Sequence, residues 1–415
     1  MLDAVHAGAT LQGAREAALA NLIGRDRRLA YELAAGVLRR RAQLDRMLTL
    51  TTADPRLHDV LRLGAYQLRA LARVPPYAAV STSVELAREL AGERAAGYVN
   101  RMLRQLSRDA RCGMRDAGET HPRWLIERWR RRFGHAETER LMAWNDSRAP
   151  LTLQPARWDA ATLTARLTEA GFGVREAPFG AGVVVLTGAT HPASRLPPPA
   201  QLPGFAEGGF IVQDPAHALA CRFAAIPPGT VVYDACAAPG GKAVALERGG
   251  AHVLAGDARR QRVGRLLETA RRAGVAIRVA VADLLAAPFR PAALAAVLVD
   301  APCSATGTMA RHPDARWRVT PRTIARAAER QRALLAAAAE LVHPGGLLVY
   351  ATCSLEPEEN NDIVTEFLAR HSQFARASAA DAVPAVMLTP AGDFQSLPQR
   401  HGIDGAYAAR LARVR

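Results

Sequence analysis

One lysine is present in 415 residues. It is the only basic side chain of 54 that is not arginine, and it stands at Lys242, at the end of Asp234-Ala235-Cys236-Ala237-Ala238-Pro239-Gly240-Gly241-Lys242. A guanidinium is a planar fork and an ammonium a compact point charge, so the two are not interchangeable. The retained ammonium therefore singles out this stretch. Cysteine is scarce as well. The five, at 112, 221, 236, 303 and 353, are odd in number and form no CxxC pair, which excludes a disulfide framework and a zinc knuckle. His312 and His343 lack close ligand partners in the sequence, so no metal site is expected. No apolar run is long enough to span a bilayer, and the first residues lack the basic-then-apolar order of a signal peptide. The expectation is a cytoplasmic protein with reduced thiols and no membrane partner.

What the chain has in excess is positive charge. A formal net charge of +15 and a pI near 10.7 favour a polyanionic partner, because cationic side chains that neutralise phosphates release condensed counterions. The first ~110 residues read as helices: Val60, Leu61, Gly64, Ala65, Leu68 and Leu71 share one face, and Val80, Val84, Ala87 and Leu90 another, with Pro75-Pro76 between them. Arg39-Arg40-Arg41 and the pair Arg101 and Arg104 flank these faces, as solvated surface or as contacts to an RNA backbone. Aromatics make up only 5% of the chain, yet four of the five tryptophans fall between residues 118 and 215. Indoles there can fill a core or stack on unpaired bases.

Beyond residue 230 the pattern alternates. Val231–Asp234, His252–Ala255, Ile277–Val281, Ala295–Val299 and Leu347–Tyr350 read as buried strands separated by helical segments, which predicts a mostly parallel sheet covered on both faces. Ligands of such sheets bind beyond the carboxyl ends of the strands. The first strand runs into the paired glycines Gly240 and Gly241, which let backbone amides approach a ligand closely. The second ends at Asp257 and the third at Asp283. Each carboxylate alone reads as a helix cap; together with the glycine loop they suit an adenosine-containing cofactor. The fourth and fifth strands end in Asp300-Ala301-Pro302-Cys303-Ser304 and Thr352-Cys353-Ser354, so two of the five cysteines, each followed by serine, close two buried strands.

These residues resemble the RsmB/Sun family of bacterial 16S rRNA cytosine-C5 methyltransferases, which use S-adenosylmethionine (SAM). DACAAPGGK (234 to 242), DAPCSATG (300 to 307), RHPD (311 to 314) and YATCS (350 to 354) carry the likeness, supported by GFAEGGFIVQDPA (204 to 216) and DGAYAARL (404 to 411). LAAGVLRRRAQLD (33 to 45), LRLGAYQL (61 to 68) and GYVNRMLRQL (97 to 106) resemble the NusB-type RNA-binding bundle joined to these enzymes. The resemblance implies an α/β, Rossmann-like methyltransferase domain over 216–415, an all-α NusB-like bundle over 1–115 and a small α+β linking domain over 116–215. It implies a monomer acting on 16S rRNA, naked or in early assembly. It assigns SAM to Cys236, Ala237, Ala238, Pro239, Gly240, Gly241, Lys242, Asp257, Asp283 and Asp300. Cys353 is then the nucleophile, Cys303 assists release of the product, Asp300 holds the cytosine and Lys242 adds positive potential.

The chemistry explains two thiols. Cytosine C5 is too weak a nucleophile to take a methyl group directly; a thiolate adding at C6 makes C5 enamine-like, and a second group must then remove the C5 proton so that the thiol can leave. The chain departs from the family at Gln154-Pro155-Ala156 and at Ala216-His217. Other readings are a cytosine-C5 enzyme acting on tRNA or 23S rRNA, a DNA enzyme attacking with Cys303, or a NusB-like RNA-binding factor without activity.

Overall fold

Apolar periodicity of 3.6 residues gives the first hundred residues five helices: Leu2–His6, Leu11–Ala18, Gly24–Met47, Pro55–Ala70 and Pro76–Arg108. The computed structural model describes residues 1–48, 50, 54–109, 120–187, 196–377 and 379–414, so Cys112 and the expected boundary at 115/116 lie outside the described residues. Asp54 caps the fourth helix by accepting from the Arg56 amide at 2.9 Å, with Pro55 at its first turn. Glycines set how closely the helices approach: a Cβ on Gly36 would lie 2.0 Å from the Tyr66 ring, and one on Gly64 would lie 2.4 Å from Leu103. Leu90, expected on the buried face, is 38% exposed. The helix breaks at Gly92, whose φ is +79°, and the apolar stripe loses its register there.

Contacts divide the chain into two compact units: Met1–Arg148 with Met309–Val319, and Ala149–Thr308 with Thr320–Arg415. This partition differs from the three sequence segments. The helices Arg123–Phe133 and His135–Asp146 pack with the first unit, and so does the segment holding RHPD. The reason is visible at Arg316, which is fully buried. Its Nη1 donates to Asp146 Oδ1 at 2.7 Å and to the Arg39 carbonyl at 3.0 Å, and its Nη2 to the Asn145 carbonyl. Trp317 Nε1 donates to the Leu38 carbonyl at 2.6 Å.

The same contacts correct the reading of Arg39-Arg40-Arg41. Arg39 donates to the Ala310 carbonyl at 3.0 Å, Arg40 to Gln43 and Asp146, and Arg41 lies over the Trp317 ring at 5.0 Å. These guanidiniums are spent inside the unit. A groove of about 600 Å³ between the two halves of the long helix is lined by Arg88, Arg104 and Arg108 with Tyr77, Glu85 and Asn100; Arg88 pairs with Glu93 at 2.5 Å and Arg104 donates to Asn100 at 2.8 Å.

The second unit holds two sheets. The smaller is antiparallel, order β2-β3-β1-β4, from β1 (Leu151–Pro155), β2 (Gly173–Glu176), β3 (Val183–Leu186) and β4 (Phe210–Val212), with Leu163 and Leu167 of the helix Ala160–Glu169 in its core. Trp158 packs here: a Cβ on Gly204 or Gly209 would lie within 2.5 Å of its ring. Trp129 of the first unit is fully buried, edge-on to His121 at 5.5 Å. Trp129 is a core residue, and Trp158 is half-buried against the core of the small sheet.

The larger sheet comprises β5 (Val231–Asp234), β6 (His252–Asp257), β7 (Arg278–Val281), β8 (Leu294–Asp300), β9 (Val342–Thr352), β10 (Phe374–Arg376), β11 (Phe394–Ser396) and β12 (Ala406–Arg413). Its order is β10-β12-β9-β8-β5-β6-β7, with β11 on β12. The five strands β5 to β9 are parallel and the last three antiparallel. This is the mostly parallel α/β sheet expected from the alternation. The chain moves outward from β5 to β7 and returns to lay β8 on the other side of β5. A crevice therefore opens beyond the carboxyl ends of β5 and β8.

Removing one partner of a buried, hydrogen-bonded ion pair leaves an uncompensated charge and costs about 3–5 kcal/mol. Arg316→Ala should lower the denaturant midpoint of the transition that includes the helical unit by a corresponding amount. An unchanged midpoint in a urea titration would mean that the Arg316–Asp146 pair does not hold the segment in place.

Candidate active site

The loop after β5 owes its shape to its glycines. Gly240 has φ +107°, and a Cβ there would lie 2.7 Å from Leu266, so only glycine fits the turn into the helix Gly241–Arg248. The strand before it ends at Asp234, fully buried, with neither carboxylate oxygen hydrogen-bonded. Burial and the nearby Asp300 push its carboxyl up to about 7. Asp257, at the end of β6, is 3% exposed; its Oδ1 accepts from the Arg259 amide at 3.0 Å and its Oδ2 lies 3.2 Å from Arg262 Nη1. Arg262 also donates to the Ala238 carbonyl at 2.5 Å, tying the glycine loop to the end of β6. Asp283, just beyond β7, is exposed and accepts from the Leu285 amide at 3.1 Å. Both aspartates thus act as turn caps through one oxygen.

Lys242 lies on the first turn of that helix, 9% exposed. Its Nζ donates to Asp300 Oδ2 at 2.6 Å and lies 3.2 Å from His217 Nδ1. Burial alone would lower the ammonium's pKa; the adjacent Asp300 carboxylate overrides it and the net shift is upward. The lysine is held charged. His217, one of the departures from the family pattern, thereby joins the site, which its sequence position gave no reason to expect.

Four carboxylates, Asp234, Asp257, Asp283 and Asp300, thus stand at or just past the ends of four parallel strands, with one ammonium among them. A ring of this sign, partly unpaired and framed by a glycine turn, fits a cofactor that carries a sulfonium and an ammonium.

The two cysteines meet. Cys303 Sγ and Cys353 Sγ are 3.2 Å apart. The Cys303 thiol is pushed well above the ordinary range, first by its hydrogen bond to Cys353 and then by burial, and either sulfur can be the donor of that bond. Behind them the loops interlock through glycine: the Gly307 amide donates to the Cys353 carbonyl at 3.0 Å and the Gly405 amide to the Gly307 carbonyl at 2.8 Å, and a Cβ on Gly307 would lie 2.5 Å from the Gly405 carbonyl. Cys221 and Cys236 are free thiols whose burial pushes each up to about 12, which makes them poor nucleophiles. Glu359, buried beneath both cysteine loops, was invisible in the sequence, where it is one of three glutamates in Glu356-Pro357-Glu358-Glu359.

Comparison with known proteins agrees with this geometry. Residues 224–412 match the family described as 16S rRNA methyltransferase RsmB/F, residues 2–108 the NusB family, and residues 121–191 a ferredoxin-like domain described as RsmF/B-like. The chain is 34% identical to a ribosomal RNA small subunit methyltransferase B of Vibrio cholerae, covering 100% of this chain and 95% of the relative. It is also 34% identical to a probable ribosomal RNA small subunit methyltransferase B of Synechocystis, covering 94% and 92%. Among solved structures, PH0851 superposes with a TM-score of 0.79 at 25% identity, covering 96% of this chain and 94% of that one. NSun6 from Pyrococcus horikoshii, solved with SFG, shares the fold at a TM-score of 0.59 and 20% identity over 71% of this chain and 98% of its own. In sequence along its whole length and in the fold of its sheet, the chain belongs to the RsmB/F family of 16S rRNA methyltransferases.

Proposed function

We propose that this protein methylates C5 of a cytosine in 16S rRNA through a covalent Cys353–C6 adduct. The observation that carries this reading is the 3.2 Å approach of Cys303 and Cys353 at the ends of two adjacent parallel strands, beside the Lys242–Asp300 pair. SAM supplies an electrophilic methyl group when bound, and the loop Cys236 to Lys242 with Asp257, Asp283 and Asp300 would hold it. Cys353 Sγ forms a bond to C6, and the electron pair of the C5–C6 double bond moves to C5, which becomes nucleophilic. Asp300, oriented by Lys242, is placed to hold the cytosine edge. The C5 proton must then leave as the C6–S bond breaks and the double bond re-forms.

The closeness of the two sulfurs allows a division of labour. Before attack Cys353 must give up its proton; its Sγ shares one hydrogen bond with Cys303 Sγ at 3.2 Å, in which either sulfur can be the donor. Once Cys353 is bonded to C6, Cys303 is the thiol left beside the base; after its own proton passes to solvent, its thiolate can take the C5 proton and return to the thiol. Attack by Cys303 instead, as in the DNA-type reading, would exchange the roles of the two sulfurs. The tRNA and 23S alternatives share this chemistry and are separated by assaying each RNA in turn.

Three outcomes test the proposal. Asp257→Asn keeps the turn cap but removes the charge, and a hydrogen bond to a charged group is worth about 1.5–3 kcal/mol. Calorimetry should therefore show SAM binding weakened by roughly ten- to a hundredfold with RNA affinity retained, whereas an unchanged SAM affinity would remove Asp257 from the cofactor site. Replacing Arg104 and Arg108 with Gln should lower rRNA affinity and flatten the plot of log affinity against log salt by about 0.7–0.9 for each phosphate no longer neutralised; parallel plots would make the groove solvated surface. For the thiols, Cys353→Ala should abolish turnover yet bind RNA and SAM. Cys303→Ala should methylate but stall, appearing as a denaturation-resistant protein–RNA band. The opposite pattern would assign attack to Cys303.

A further inference from the structure

Each of the two site cysteines is followed by serine, and the structure gives the pair of serines one common partner. Glu359 sits in the single turn Pro357–Glu359, with its side chain fully buried. Its Oε1 accepts from the Ser304 amide at 2.8 Å and from Gln331 Nε2 at 3.1 Å. Its Oε2 accepts from both the Ser304 hydroxyl and the Ser354 hydroxyl. Four donors fill the four lone-pair sites of one ionised carboxylate, and all four are neutral.

The reach of this group extends to both residues flanking Cys303. Gln331, from the helix Pro321–Leu341, also donates to the Pro302 carbonyl at 2.9 Å, so Glu359 fixes residue 304 directly and residue 302 through Gln331. On the other strand it holds Ser354, whose hydroxyl accepts from the Glu356 amide at 3.0 Å and whose carbonyl accepts from Asn360 Nδ2 at 2.9 Å. Thr352, on the other side of Cys353, donates to Asn360 Oδ1 at 2.5 Å. Tyr350 in turn anchors the Glu359 carbonyl at 2.7 Å. The two thiols are thus suspended between clamped neighbours.

We propose that Glu359 is the positioning residue that sets the separation and alignment of the Cys303 and Cys353 sulfurs, through Ser304 and Ser354. The proposal deepens the covalent reading and rests on it for its effect on turnover. Burying a carboxylate among neutral groups is costly, and burial indeed pushes the Glu359 carboxyl up against the pull of its four hydrogen bonds. A neutral residue of the same size would hold the loops less expensively but could not accept from both hydroxyls and both N–H groups at once. Serine is required after each cysteine because its short hydroxyl reaches the shared oxygen beneath.

Glu359→Ala is the direct test, since it removes the shared acceptor outright, whereas a glutamine could still meet both serine hydroxyls by donating its NH2 to them. Misplacing reacting groups by about 1 Å can cost on the order of a hundredfold in rate, so kcat should fall by roughly that factor while KM for RNA and the SAM affinity hold. A second readout is independent of catalysis. Diamide oxidises two neighbouring thiols to a disulfide, taking up their two protons and two electrons at its azo group, and the rate of Cys303–Cys353 closure reports sulfur geometry directly. Closure should be slower in Glu359→Ala than in the unaltered protein. Should that variant fail to fold, Ser304→Ala, at a half-buried position that keeps the Ser304 amide bond to Glu359, should show the same two effects. Unaltered kcat and closure rate in the variant that folds would overturn the proposal. If Cys353→Ala retains turnover, the covalent reading falls while slowed closure still upholds the positioning role.

Discussion

The parallel pairing of β8 with β9 is the constraint on which the rest of the site depends. Its register sets Val299 opposite Tyr350 and Asp300 opposite Ala351, and one further hydrogen bond, from the Ala301 amide to the Ala351 carbonyl at 2.8 Å, carries the ladder just past the strand ends. Residues 303 and 353 consequently emerge side by side, although fifty residues separate them. A slip of one residue would turn every side chain of β9 to the opposite face. Tyr350 would then leave the core, and the serine beyond Cys353 would leave the reach of Glu359. The glycine seam between Gly307 and Gly405 admits no side chain, which keeps the loops close once the strands are paired.

The lone lysine has its explanation in the same crevice. Lys242 is buried between one carboxylate oxygen of Asp300 and a ring nitrogen of His217. A guanidinium would bring five donors in a fixed fork to a place that offers two acceptors, leaving buried N–H groups unpaired. A chain that uses arginine everywhere else keeps an ammonium where only a point charge fits. That cation pairs with Asp300, while Asp257 on the neighbouring strand has its own partner in Arg262.

Much of this organisation is legible in the sequence because it is written in local pattern. The strands from Val231 to Tyr350 announce themselves as apolar runs, the turn at Gly240 by its paired glycines, and the repeated Cys-Ser by position at two strand ends. The remainder depends on contacts between residues far apart in the chain. Arg39-Arg40-Arg41 reads as a surface run, yet Asp146, Ala310 and Trp317 consume it from more than a hundred residues away. The segment Met309–Val319 follows the cysteine motif directly in sequence but is drawn into the helical unit by Arg316. Leu90 continues a helical stripe on paper, and one glycine in the left-handed region ends it. Glu359 carries no mark at all, because one glutamate among three becomes distinct only when both serines fold onto it.

Identification of the sulfur that bonds to the base tests the account most directly. RNA carrying 5-fluorocytidine at the target position has no C5 proton to lose, so the enzyme should stall as the covalent adduct after methyl transfer. Digestion and mass mapping of that adduct should place the nucleotide on the peptide containing Cys353, with Cys303 recovered as a free thiol. A nucleotide on Cys303, or no adduct despite active enzyme and SAM, would contradict the account.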